Sequence, residues 1–174
     1  VLTALLALKQ QGVAIGLSLS GPQQAATLAQ ALSVRVDGVR LFDAVQATWN
    51  LLEQSTTSTL QHAHDLGLVV IIKEALANGR LTQRNVDPAF AVQVALLQKE
   101  AARLNTTVDA LALAAVLTQP WVTIVLSGAA TVAQLYSNVM AMKLKFDEEA
   151  ATTLLPLREA PAAYWATRST LAWN

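Results

Sequence analysis

Thr123-Ile-Val-Leu-Ser-Gly-Ala-Ala-Thr-Val-Ala-Gln-Leu-Tyr-Ser-Asn138 is a short β-branched run, a small-residue turn and then an amphipathic helix. The rest of the chain reads as repeats of this unit. Ile124 and Val125 favour a buried pleated strand, Gly128 allows the backbone to turn and approach a ligand closely, and Thr131 is placed to cap the helix. A helix N-terminus behind such a turn can hold an anion through its free N–H groups and positive dipole end. An ordinary strand-to-helix connection fits the same residues.

Upstream, Leu2, Leu5, Leu6 and Leu8 before Lys9 and Gly12 read as the end of a helix, followed by a strand over Val13 to Leu19. Pro22 then opens a helix with Ala25, Leu28, Ala29 and Leu32 on one face. A second strand is expected over Val39 to Gln46. Its helix carries Leu60, Ala63 and Leu66, with Ser55 to Ser58 as candidate caps and Gly67 as its close. Leu68-Val-Val-Ile-Ile72, an unbroken apolar run, suits a parallel strand covered on both faces. After the loop Lys73 to Leu81, Pro88 begins a helix reaching about Leu104, and another runs from Thr106 or Thr107 until Pro120 stops it. Helices over Thr131 to Lys143 and from Asp147 through Leu157 lead into a tail with Tyr164, Trp165 and Trp173. Four strands alternating with helices predict parallel neighbours joined by right-handed crossovers, in an open sheet or a barrel segment. The strands are not followed by a G-x-G-x-x-G or Walker-type loop, which weighs against a Rossmann or P-loop nucleotide fold.

The 174 residues are enough for a single domain over 1–174 with a sizeable core. With 53% hydrophobic residues, 14% charged residues and a net charge of zero, no basic field for nucleic acid is present. No run of ~18 apolar residues argues for a membrane span. The absence of Cys excludes disulfides, thiolate metal sites and a Cys nucleophile. Val1 and the leucine-rich opening lack a basic leader, so the chain is expected to begin inside a fold.

Four ordered segments resemble the aldo-keto reductases, the NAD(P)H-dependent (β/α)8 barrels, and match only that family's C-terminal half. Ile15-Gly-Leu-Ser18 is similar to the family's strand-five "IGxS". Val45-Gln46 with Trp49-Asn50-Leu51 resembles the strand-six pattern. Leu66-Gly67 into Val69-Val-Ile-Ile72, then Leu76 and Gly79 to Leu81, resembles strand seven and its cofactor loop. Val125-Leu-Ser-Gly-Ala with Gln134, Leu135 and Asn138 resembles strand eight. The resemblance implies an α/β fold: parallel βα repeats forming strands five to eight of a TIM-type barrel, with the site at the C-terminal strand ends.

It also implies roles for particular residues. Ser18 and Gln46 would hold the nicotinamide carboxamide, and Leu76 would lie along the pyrophosphate. Gly128, Ala129 and Ala130 would lie near the adenosine ribose and its 2′-phosphate, with Gln134 and Asn138 flanking the adenine. Gln46, Asn50 and Asn138 could instead satisfy backbone groups at strand ends. Lys73 stands where the family commonly has an aromatic residue that stacks on the nicotinamide; its stem can cover a ring face, or Lys73 and Glu74 can form a solvated pair. Leu19 replaces the usual Asn, removing one carboxamide contact. With no Lys or Arg in sequence around Gly128, the choice between NADP(H) and NAD(H) stays open.

The family's Asp, Tyr, Lys and His tetrad belongs to the N-terminal half, which this chain does not contain. His62 and His64 are two apart on a helix and so on different faces, Tyr136 and Tyr164 match no motif, and Asp43 reads as a mid-strand or strand-end carboxylate. Two functions follow as expectations, with a cofactor-binding remnant that senses NAD(P)H without chemistry as a third. The chain is the cofactor-cradling half of a carbonyl-reducing oxidoreductase, inactive by itself, or it is a non-catalytic interaction protein. An open half-barrel leaves strand edges and core uncovered, so a protein partner or self-association is expected alongside the nicotinamide cofactor. The resemblance suggests a cytoplasmic or organellar soluble compartment.

Overall fold

The computed structural model describes residues 1–171, so Trp173 lies outside the described residues. Its elements run α1 (Leu2–Gln10), β1 (Gly16–Ser18), α2 (Gln24–Ser33), β2 (Arg35–Val36), β3 (Val39–Arg40), β4 (Ala44–Thr48), α3 (Thr57–Asp65), β5 (Val69–Lys73), α4 (Ala91–Arg103), α5 (Val108–Leu117), β6 (Ile124–Val125), α6 (Val132–Met140), α7 (Glu148–Leu154) and α8 (Pro161–Thr170). Strands β1, β4, β5 and β6 form one parallel sheet in that order. Chain order and spatial order agree, as expected when each helix carries the chain across to the next parallel strand.

Alternation along the strands divides the sheet into two faces. Val45 and Ala47 of β4 and Val70 and Ile72 of β5 are fully buried against residues of α2, α3 and α5, including Leu28, Leu60 and Leu113. The register aligns Ser18, Gln46, Ile71 and Ile124 in one row on the opposite, inner face. On that face Val69, Ile124 and Leu126 remain exposed. A second cluster, with Leu97, Leu111, Leu154 and Tyr164, packs α4, α7 and α8 together. Helix α5 belongs to both clusters, which explains why it carries almost no polar face.

The second expected strand is corrected. Residues 35–40 form a two-stranded antiparallel hairpin, β2–β3, and the parallel strand begins only at Ala44. Asp37 and Gly38 both take left-handed φ values, 51° and 79°, which is what a type I′ hairpin turn requires. Helix α1 and α3 close as their sequences imply, with Gly12 at φ 89° and Gly67 at φ 82°, where a side chain would be strained. Helix α3, however, has no side-chain cap from Thr56; Thr57 instead donates to the Gln54 carbonyl and accepts from Trp49 Nε1. No helix among the described residues is long and apolar enough to cross a membrane.

Candidate functional site

Two groups of residues meet at the C-terminal ends of the strands. The first lies on the inner face. Ser18 Oγ donates to Gln46 Oε1 at 2.9 Å, because β1 and β4 place these two residues side by side. Lys73, at the end of β5, reaches across β4 and donates from Nζ to Ser20 Oγ at 2.8 Å and to Ser18 Oγ at 3.4 Å.

The second group lines a cleft of about 360 Å³ between the loop after β5 and the β6–α6 turn. Leu76, Gly128 and Asn138 form part of its wall, and a smaller neighbouring cleft of about 200 Å³ adds Ala129 and Gln134. Sequence-distant residues thus fall into two groups: Ser18, Gln46 and Lys73 on the inner face, and Leu76, Gly128, Ala129, Gln134 and Asn138 around the clefts. Ala130 joins them through its N–H, which donates to Gln134 Oε1 at 2.8 Å.

Several side chains are already engaged. Gln134 forms a capping box with Thr131: its Oε1 accepts from the N–H groups of Ala130 and Thr131, while Thr131 Oγ1 accepts from Gln134 N. Asn138 donates to Ser127 Oγ at 2.9 Å. Asn50 is wholly internal. Its Oδ1 accepts from the N–H groups of Leu52 and Glu53, and its Nδ2 donates to the Glu74 carbonyl and to Tyr164 Oη. Gly128 does not take a left-handed φ, and a Cβ there would meet nothing within 4 Å, so the turn itself does not demand glycine. Its lack of a side chain widens the cleft.

The loop after β5 carries concentrated backbone strain. Glu74, Ala77 and Asn78 have φ values of 56°, 47° and 54°, each unfavourable for a residue with a Cβ. Such strain persists only where the surroundings fix it, and it clusters at ligand clamps. Here Glu74 is fixed by Arg168 of α8, whose Nε and Nη2 donate to Glu74 Oε1 at 3.1 and 3.0 Å. Lys73 and Glu74 therefore do not form the solvated pair that their adjacency suggests; they face different partners. Asn78 Oδ1 is buried without a hydrogen-bond partner among the described residues and Asn78 lines the cleft, so the wall offers an acceptor that a ligand hydroxyl or N–H can satisfy.

No sequence motif points to Arg84. It lines both clefts beside Gly128 and Asn138, and its guanidinium makes no ion pair among the described residues. A cation does stand near Gly128, brought there by the fold of the loop and not by sequence proximity. Thr82 lies beside it.

The remaining candidates lie elsewhere. Asp43 precedes β4, at the opposite end of the sheet, where it pairs with Lys9 and accepts from Ile15 N at 2.9 Å. Burial pushes its pKa up, but the hydrogen bonds from Lys9 and Ile15 outweigh this and the net shift is downward. Tyr164 is fully buried, and that burial raises its phenol pKa against the lowering effect of Asn50. It is a core residue holding α8. His62 and His64 lie on α3, away from both clefts, and Tyr136 is exposed on α6.

The sequence model of the Aldo/keto reductase family matches residues 1–157. The fold is similar to that of the aldo-keto reductase AKR11C1 from Bacillus halodurans in its holo form, with a TM-score of 0.71 at 21% identity over 91% of this chain and 55% of that one. The apo form of the same protein gives 0.71 at 20% identity, over 91% and 56% of the two chains. A thermostable aldo-keto reductase, Tm1743, in complex with the inhibitor epalrestat gives 0.68 at 21% identity, over 90% and 53%. The chain spans just over half the length of these structures. No curated protein matches it.

Proposed function

The chain belongs to the aldo/keto reductase family, and from that premise we propose that it supplies the cofactor cradle of an NAD(P)H-dependent carbonyl reductase. Its four parallel strands are a partial (β/α)8 barrel, residues 1–174 acting as one unit within it. In this reading Ser18 and Gln46 hold the nicotinamide carboxamide, Lys73 borders the ring, and Leu76 follows the pyrophosphate. Gly128, Ala129 and Ala130 leave room for the adenosine, and Gln134, held in its capping box, shapes the wall that Asn138 completes. The observation that supports the reading is that the C-terminal ends of the parallel strands carry both the hydrogen-bonded Ser18–Gln46 pair and, beyond β5, a cleft lined by Asn78, Gly128, Asn138 and the Arg84 guanidinium, which makes no ion pair among the described residues.

The donor set fits a dinucleotide. Arg84 can meet a phosphate with charge-assisted hydrogen bonds, and Asn78 Oδ1 can accept from a ribose hydroxyl. When bound, the nicotinamide supplies a hydride, and carbonyl reduction also needs a proton donor. Among the described residues the two tyrosines and two histidines stand outside the rim, so the acid comes from a segment outside this chain. The chain alone binds cofactor without reducing a carbonyl.

Titration calorimetry with NADPH and NADH tests the cradle. Binding is expected, and Arg84→Gln should weaken the NADPH complex by about tenfold, the scale of one charge-assisted contact. No binding of either cofactor would overturn the reading. Aldehyde reduction should be absent in the isolated chain and present once a polypeptide carrying the four complementary βα units is joined to it. Turnover by the isolated chain would overturn the division of labour.

A second reading, a non-catalytic interaction protein, draws on the uncovered apolar surface. Val132, Leu135, Tyr136 and Val139 of α6 and Val69 and Ile124 of the inner face are all exposed. In this reading a partner subunit or a second half-barrel covers them. Light scattering that shows a stable monomer free of apolar dye binding would eliminate it.

A further inference from the structure

Lys73 brings a positive charge to the one end of the rim where a dinucleotide changes its own charge. β5 ends at Lys73, two residues past Ile71, the residue level with Gln46 in the register. The side chain crosses β4 toward β1, and its ammonium donates to Ser20 Oγ at 2.8 Å and to Ser18 Oγ at 3.4 Å, while Ser18 donates to Gln46. These contacts are all to neutral groups. Glu74, the adjacent carboxylate, turns away at φ 56° and pairs with Arg168, and Lys73 forms no ion pair among the described residues. The ammonium on this rim is therefore uncompensated.

A nicotinamide ring is cationic when oxidised and neutral when reduced, whereas the phosphates at the other end keep their charge in both states. A fixed cation beside the carboxamide site acts on this difference; a cation beside the phosphates does not. We propose that Lys73 makes the site discriminate between the two redox states of a nicotinamide cofactor, favouring the neutral reduced ring over the cationic oxidised one. The inference rests on the reading that Ser18 and Gln46 hold the carboxamide. Two like charges about 4 Å apart shift a binding equilibrium about fivefold in a water-like medium, and further as water is excluded. Lys73 then favours loading with the hydride donor and release of the spent cofactor.

The test measures dissociation constants for NADPH and NADP⁺ by calorimetry on the full chain, in the parent, Lys73→Met, Lys73→Arg and Arg84→Gln proteins. Methionine keeps an unbranched stem and removes the charge. The ratio of oxidised to reduced dissociation constants should fall about fivefold in K73M, the size of the like-charge effect above, and should be retained in K73R. In the parent it should shrink as salt is added. R84Q should weaken both forms equally and leave the ratio alone. A ratio unchanged in K73M, with both forms still binding, overturns the role of Lys73 and leaves the cradle standing. Failure of both forms to bind the parent overturns the cradle and this inference together.

Discussion

Helices α5 and α6 pack against one another and differ in length by one residue, yet their surroundings are opposite. In α5, Val108 and every residue from Ala110 to Val116 are buried. In α6 no residue is buried, although Val132, Leu135, Val139 and Met140 give it a well-defined apolar face. Helix α5 contributes to both core clusters and needs no polar side; α6 stands at the margin, in contact with α5 but with none of its residues buried. Equal apolar content therefore means different things in the two helices. In the centre it is cohesion, and at the margin it is capacity for contact. The cleft of the proposed cofactor site opens beside the same margin, between the loop after β5 and the β6–α6 turn, where the core no longer dictates what each side chain must do.

Truncation is the most direct way to break this contrast. Leu111→Ala, at a site with no exposed surface, should destabilise the fold by about 2–5 kcal/mol, whereas Leu135→Ala in α6 should cost under about 0.5 kcal/mol. Urea titration measures both, and equal losses would mean that α6 is covered after all. Next in size, Asn50→Ala removes a fully buried amide that joins the β4 end, the Glu74 carbonyl and Tyr164. A loss of about 2–3 kcal/mol is expected, with faster amide exchange in α8 and in the loop after β5, because several buried groups lose a partner at once. A smaller and local effect should follow Gln134→Ala, which dismantles the capping box of α6. About 1 kcal/mol is expected, seen as fraying at Val132 by amide exchange with α5 unaffected.

The mildest perturbation is acid. Asp147 accepts two hydrogen bonds from Arg103 and one from Ala150 N, and its pKa falls from 3.8 to about 2, chiefly through Arg103. A carboxylate with a folded pKa below its unfolded value stabilises the fold above that unfolded value and ceases to do so as pH falls through the folded one. The contribution should thus fade between 3.8 and about 2, and Asp147→Asn should flatten the thermal midpoint over that window. An unchanged acid limb in the variant would show that the pair, exposed as it is, adds nothing.

The centre of the molecule was also the part most legible in sequence. Val69 to Ile72 announce a strand covered by helices, and Gly12 and Gly67 mark helix ends because their backbone angles exclude most other residues. The β2–β3 hairpin shows two signals in competition: Asp37-Gly38 between Val36 and Val39 is a hairpin turn, while the apolar residues beyond it read as one continuous strand. The site is less legible, for a physical reason. Ser18 and Gln46 are paired by strand register, which sequence periodicity constrains. Arg84 and Gly128 line one cleft across a loop in which Glu74, Ala77 and Asn78 take left-handed conformations; Asn adopts these readily, but no propensity predicts them for Glu74 or Ala77. Tyr164 is similar: nothing in its neighbourhood says that it will lie against Asn50.

The uncovered face of α6 bears also on what a melting temperature means for this protein. Anything that binds the folded form and not the unfolded one raises the midpoint by mass action, in proportion to the logarithm of its free concentration over its dissociation constant. If a second copy or a complementary half-barrel covers Leu135 and Val139, thermal stability becomes a property of concentration as well as of sequence. A dilution series followed by calorimetry reads this directly. A midpoint that climbs with protein concentration points to self-association, and one that stays level until the complementary half is added points to that half.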